Sequence, residues 1–142
     1  MTEKDTVRRR ARERALQFLF EVDMSGARWE EVLPTFWSIH PSRPTVRSYA
    51  DELIEGTLVH LARIDEQLAN ALDNWSLDRV AAVERNVLRV AAFEMIMRGD
   101  VPARVIINEA VEVAKKFADD SSGKFVNGVL DKLMRTVRDE TD

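Results

Sequence analysis

The chain has 142 residues, 45% of them hydrophobic and 32% charged, with a net charge of −4 and no cysteine. That length and balance fit one compact domain, or two small subdomains sharing a core. The missing cysteine excludes a disulfide framework, thiol catalysis, a cysteine-ligated zinc finger and an iron–sulfur site and favours a cytoplasmic setting; no apolar run approaches the roughly twenty residues a bilayer requires.

Glycine (5) and proline (4) are scarce, strand-like alternation is nearly absent, and Ala, Leu, Glu and Arg dominate. The pattern predicts an all-α fold. A first helix is predicted over residues 7–24, on the stripe Ala11, Ala15, Phe18, Leu19 and Val22, and Ser25-Gly26 ends it. Its start is unusual. Five of the seven residues from Arg8 to Arg14 are arginine; residues 1–14 carry +3, which leaves −7 on residues 15–142. A basic arm on an acidic body is suited to holding a polyanion at one place, and arginine suits phosphate forks and base stacking. Cations in the first turns of a helix oppose its dipole, and broken local rules often mark function. Glu13, Arg14 and Gln17 interrupt the apolar stretch that a signal sequence would need.

A shorter helix is predicted over 29–39, carrying Val32, Leu33, Phe36 and Trp37 with Pro34 inside. Residues 40–44 form a connector bounded by prolines. Thr45 is placed to cap one long helix over 46–73, with Tyr49, Leu53, Ile54, Leu58, Leu61, Ile64, Leu68 and Leu72 along its stripe. Asn74-Trp75-Ser76 breaks the pattern and marks a boundary between two halves, 1–73 and 74–142. A short turn over 77–80 leads into a helix over 82–97 that is apolar nearly all round, hence central. Pro102 opens a helix over 103–118, Asp119–Gly123 forms a polar turn, a last helix covers 124–137, and 139–142 is expected to be a disordered tail. About seven helices with short connectors read as two small helical bundles packed on each other.

Enzymatic constellations are not apparent. Gly123-Lys124 fails as a phosphate loop, because Ala118 stands where the first glycine belongs and Phe125 follows the lysine. His40 and His60 have no third ligand at a telling spacing, so no metal site is expected. Asp51, Glu52 and Glu55 read as a solvated helix face. No pair of carboxylates sits in a recognisable apolar cleft for general acid–base work. Phe20 and Phe125 read first as core residues on spacing, although Phe20 falls off the stripe axis and is a candidate for partial exposure. Lys124, at a predicted helix start beside Phe125 and Asn127, suggests a second nucleic-acid contact point: cations for phosphates, a ring for bases, an amide for base edges.

The stretches RRRARE (8–13), VERNVLRVAAFE (83–94), DVP (100–102), INEAVE (107–112) and KFVNGVLDKL (124–133) closely resemble the NusB family of bacterial transcription antitermination proteins, in the family's order and over nearly the whole chain. The resemblance implies an all-helical protein of two bundles stacked roughly perpendicular, with no catalysis and no cofactor. It implies binding to the boxA element of nascent ribosomal RNA together with small-subunit ribosomal protein ten (NusE), in a complex that joins elongating RNA polymerase and other Nus factors. Matched onto this sequence, Arg8, Arg9, Arg10 and Arg12 would contact phosphates, Gln17 and Phe20 would lie near the RNA surface, Glu84 and Arg85 would lie on the central helix near the RNA, and Lys124, Phe125 and Asn127 belong to the KFVNG signature. Phe20 replaces a tyrosine of some members, which would lose a hydroxyl contact and keep stacking. Ser121-Ser122-Gly123 replaces a more acidic, histidine-containing turn, a change that bears on RNA preference. The NusE surface is expected mainly on the second half, and homodimerisation, known in some relatives, is left open. Two other readings stand beside this one: an interaction module whose acidic body binds a basic protein without touching RNA, and the RNA-binding half of a ribosomal RNA methyltransferase, for which no Gly-rich cofactor loop is present.

Overall fold

The first helix begins before its apolar stripe does. In the structure, a computed structural model that describes residues 1–73 and 76–138, α1 runs Glu3–Ser25. Thr2 and Asp5 start it by a reciprocal exchange: the Asp5 N–H donates to Thr2 Oγ1 and the Thr2 N–H donates to Asp5 Oδ2, each at 3.1 Å. Glu3 and Asp5 occupy the first turn, so the arginines begin in the second. The expected conflict between the arm and the helix dipole is therefore lessened, because Glu3 and Asp5 flank Lys4 in the first turn and the arginines come after it. Gly26, at φ 69°, closes the helix in the left-handed region.

The elements that follow are α2 (Trp29–Ile39), α3 (Pro44–Val59), α4 (Leu61–Ala71), a single 3-10 turn over Leu77–Arg79, α5 (Ala82–Met97), α6 (Ala103–Phe117) and α7 (Asp120–Val137). This all-helical architecture agrees with the all-α expectation, and α2 and α5 have the predicted bounds. Three boundaries differ. The single long helix over 46–73 is two helices that change direction at His60 (φ −105°, ψ 23°). The buried stripe Leu53, Ile54, Thr57, Ile64, Leu68 continues across the bend at helical spacing, so the pattern carries no trace of it. Pro44 and not Thr45 opens α3, and no side chain caps it. Asp119 caps α7 by accepting from the Ser122 N–H at 2.8 Å, so Lys124 lies in the second turn of α7 and not at its start. The boundary residues Asn74 and Trp75 and the tail 139–142 lie outside the described residues.

α5 is the central element, as its all-round apolar pattern predicts: it packs against α1, α3, α4, α6 and α7. Val87, Leu88, Val90, Ala91, Ala92, Phe93 and Met95 are all buried. α3 approaches α5 closely at Gly56, where an added Cβ would overlap the Phe93 ring. Gly56→Ala should therefore cost about 1–3 kcal/mol by overpacking, despite the better helix propensity of alanine. Urea denaturation checks this; an unchanged midpoint would mean that the two helices separate without cost. Among the described residues no helix is long and apolar enough to cross a membrane.

Candidate nucleic-acid interface

The arm divides into arginines that face the protein and arginines that face solvent, and helical spacing decides which. Arg12 points toward α5. Its Nε and Nη2 donate to the two Glu94 carboxylate oxygens at 2.7 and 2.8 Å, a bidentate fork. The Tyr49 hydroxyl donates to the same Glu94 Oε2 at 2.7 Å. Arg12 is 5% exposed and Glu94 1%. Burial opposes the charged guanidinium, but the Glu94 hydrogen bonds and charge outweigh it and Arg12 is held more firmly protonated than usual. Burial, with the Glu94 charge and hydrogen bond, pushes the Tyr49 phenol up to about 12. In this arrangement Arg12 is a core residue, not a phosphate contact.

Arg9 is also engaged. Its Nε donates to Glu109 Oε1 at 2.8 Å and its Nη2 to Glu109 Oε2 at 2.5 Å, which ties α1 to α6. The Glu109 hydrogen bond raises the Arg9 pKa against the effect of burial. Arg14 donates to Ser42 Oγ at 3.1 Å and Gln17 Oε1 at 2.9 Å; the latter leaves the Gln17 amide nitrogen to donate outward. Arg8 and Arg10 remain. The Arg8 guanidinium lies 5.0 Å from the Tyr49 ring centroid, half-buried and, among the described residues, without an ion pair. Arg10 is exposed and reaches only Glu13, at 3.9 Å.

Further along α1, Gln17 is half-buried and Phe20 is 37% exposed. Arg10, Gln17 and Phe20 recur at seven and then three residues and so share a face. At its C-terminal end α1 meets the start of α5 through Asp23, which accepts from Arg85 Nε at 3.0 Å and Asn86 Nδ2 at 2.9 Å, with Arg89 Nη1 at 3.3 Å. Burial would raise the Asp23 pKa, yet the Asn86 and Arg85 hydrogen bonds bring it below the ordinary value. Arg85 also donates to the Val80 carbonyl at 2.7 Å. Its guanidinium is thus spent on joining α1, α5 and the turn before α5. Glu84, half-buried in the first turn of α5, complements the positive end of that helix.

On α7, Lys124 and Asn127 are exposed and Phe125 is half-buried against the core. Among the described residues Lys124 has no ion pair. Gly123 is buried beneath α6: an added Cβ there would come 2.7 Å from Lys115 Cγ, so the stem of Lys115 covers it. Lys116, next on α6, donates to both Glu13 oxygens at 3.1 Å. Sequence reasoning singled out neither Glu94 nor Glu109, Asp23 or Lys116; each acts through a partner that is distant in the chain, and a single sequence does not display such pairs.

The profile of the NusB family matches residues 9–135. The chain belongs to the NusB family. The transcription antitermination protein NusB of Sorangium cellulosum is 48% identical over 122 residues, covering 86% of this chain and 87% of that protein. The Bacillus subtilis NusB is 43% identical over 126 residues, covering 89% and 93%. In three dimensions the chain resembles Thermotoga (T. maritima) NusB, at TM-score 0.80 and 35% identity over 90% of each chain. It also resembles a chain in the crystal structure of the antitermination factors NusB and NusE in complex with double-stranded RNA, at TM-score 0.83 and 32% identity, covering 92% of this chain and 98% of that one. The role in these NusB names is transcription antitermination, and none names a reaction.

Proposed function

We propose that this chain is an RNA-binding transcription antitermination factor. It holds the boxA element of nascent ribosomal RNA together with ribosomal protein NusE and supports processive ribosomal RNA synthesis. The observation that carries this reading is the division of the arm: with Arg9, Arg12 and Arg14 drawn into the fold, α1 still presents Arg10, Gln17 and Phe20 on one face and keeps the half-buried Arg8 without an ion pair among the described residues. Lys124, Phe125 and Asn127 on α7 supply the second contact point. The similarity to NusB in its assembly with NusE and RNA supports both partners. In this reading Arg8, Arg10 and Lys124 meet phosphates, Phe20 and Phe125 stack on bases, Gln17 and Asn127 address base edges, and Arg9, Arg12, Glu84 and Arg85 position the surface. Residues 1–73 form the unit that carries the arm and 74–142 the unit that carries the α7 contacts and most of the NusE surface. The factor works in the cytoplasm, on RNA polymerase with other Nus factors.

Titration of a boxA RNA with the protein alone and with NusE added tests the proposal. Weak binding alone, strengthened by NusE, is the expected result; capture of NusE with no RNA binding in either arm would favour the interaction-module reading. Phe20→Ala should lower RNA affinity by about 1–3 kcal/mol, the worth of one stacked base, with an unchanged melting temperature because the ring is already partly solvated. Thermal melts and fluorescence anisotropy check this; a fall in melting temperature with affinity intact would make Phe20 a packing residue.

A further inference from the structure

Glu13 is a buried carboxylate that faces two exposed cations. Its side chain is 10% exposed, whereas those of Lys116 and Arg10 are 56% and 59% exposed. Lys116 Nζ sits 3.1 Å from both Glu13 oxygens, and Arg10 Nη1 sits 3.9 Å from Oε1. Lys116 Nζ also lies 5.7 Å from the centroid of the half-buried Phe117 ring. The carboxylate therefore fixes an ammonium of α6 over α1 beside the outward face that carries Arg10, and Gln17 follows Glu13 by one helical turn. On the other side of Lys116 the stem of Lys115 covers Gly123, adjacent to Lys124. Arg10, Lys116, Lys115 and Lys124 thus form a chain of exposed cations from the arm, across α6, to α7. The carboxylates along it are buried Glu13 and exposed Glu112 and Asp120, of which Glu112 pairs with Lys115 at 3.5 Å.

Resting on the reading of this face as an RNA surface, we propose that Lys116 is a phosphate-binding residue, held in place by Glu13, that joins the arginine arm to the Lys124 end so that a single RNA strand runs continuously across α6. A surface lysine paired only for stability would be satisfied by Glu13 and indifferent to RNA. A phosphate contact contributes to the salt dependence of binding, by about 0.7 in slope for a single strand, and weakens all sequences alike when lost.

The test compares wild type, Lys116→Ala, Lys116→Arg, Arg10→Ala, Lys124→Ala and Lys132→Ala, using a boxA oligonucleotide and a scrambled one of equal length across a salt series. Lys132 is an exposed lysine paired with Asp73, so it controls for loss of one positive charge elsewhere. Lys116→Ala should flatten the slope by about 0.7 with both oligonucleotides, Lys116→Arg should restore it, and Lys132→Ala should leave it unchanged. A Lys116→Ala slope equal to wild type, with Arg10→Ala and Lys124→Ala still flattening it, would overturn the role of Lys116 and leave the RNA surface standing. Wild type that binds neither oligonucleotide, with or without NusE, would overturn the RNA reading itself. Circular dichroism melts confirm that each variant is folded.

Discussion

Replacing Glu94 with alanine should cost about 3–5 kcal/mol of folding stability, because it leaves the buried Arg12 guanidinium without its counter-ion. Two side chains depend on this one carboxylate. Arg12 loses both arms of its fork and the Tyr49 hydroxyl loses its acceptor, while Arg8 and Arg98 lie over the Tyr49 ring at 5.0 and 5.2 Å from its centroid and gain no new partner. Glu109 is the next carboxylate, 3.7 Å from Arg12 Nη1, but it is already committed to Arg9. The phenol, pushed up to about 12 by burial first and the Glu94 charge second, stays protonated through neutral pH and keeps donating to Glu94. Urea denaturation of Glu94→Ala, Arg12→Ala and the double variant checks the coupling. Each single change should be severe and the double change clearly less than their sum. Additive losses would mean that Glu94 and Arg12 are independently solvated in solution.

The sequence displayed the helices well and the bends poorly. α5 was legible because apolar residues all round a helix leave it no place except the centre. The break at His60 was not, since no glycine or proline marks it and the buried stripe runs through it in phase. The start of α1 was written in Thr2 and Asp5, but the five polar residues Thr2–Thr6 before Val7 hid it. The site was half legible. Five arginines in seven residues announce a polyanion surface, yet which of them reach solvent depends on Glu94 and Glu109, 82 and 100 residues away from the arginines they hold. Helical spacing sorts them only once the facing helices are known: Arg12 turns toward α5 and Arg9 toward α6, and Arg10 looks outward. For the same reason Arg85, expected near the RNA, is a brace between α1 and α5 through Asp23.

That sorting makes the arm separable by mutation. The Arg8→Ala, Arg10→Ala double variant should keep its melting temperature close to wild type, since neither arginine makes a buried ion pair, and should lose RNA affinity. With about 0.7 of slope per phosphate contact, two lost contacts flatten the slope by about 1.4, so the affinity that wild type loses between about 50 and about 200 mM salt shrinks by about sevenfold. Arg12→Ala should do the reverse: the fold loosens because Glu94 is left buried and unpaired, at about 3–5 kcal/mol, and whatever protein remains folded keeps the wild-type slope.

The salt series of the Arg8→Ala, Arg10→Ala variant on boxA RNA, with NusE present so that affinity stays measurable, addresses the central claim most directly. A flattened slope on an undiminished fold is the expected result. A slope and affinity equal to wild type would show that Arg8 and Arg10 do not meet phosphates.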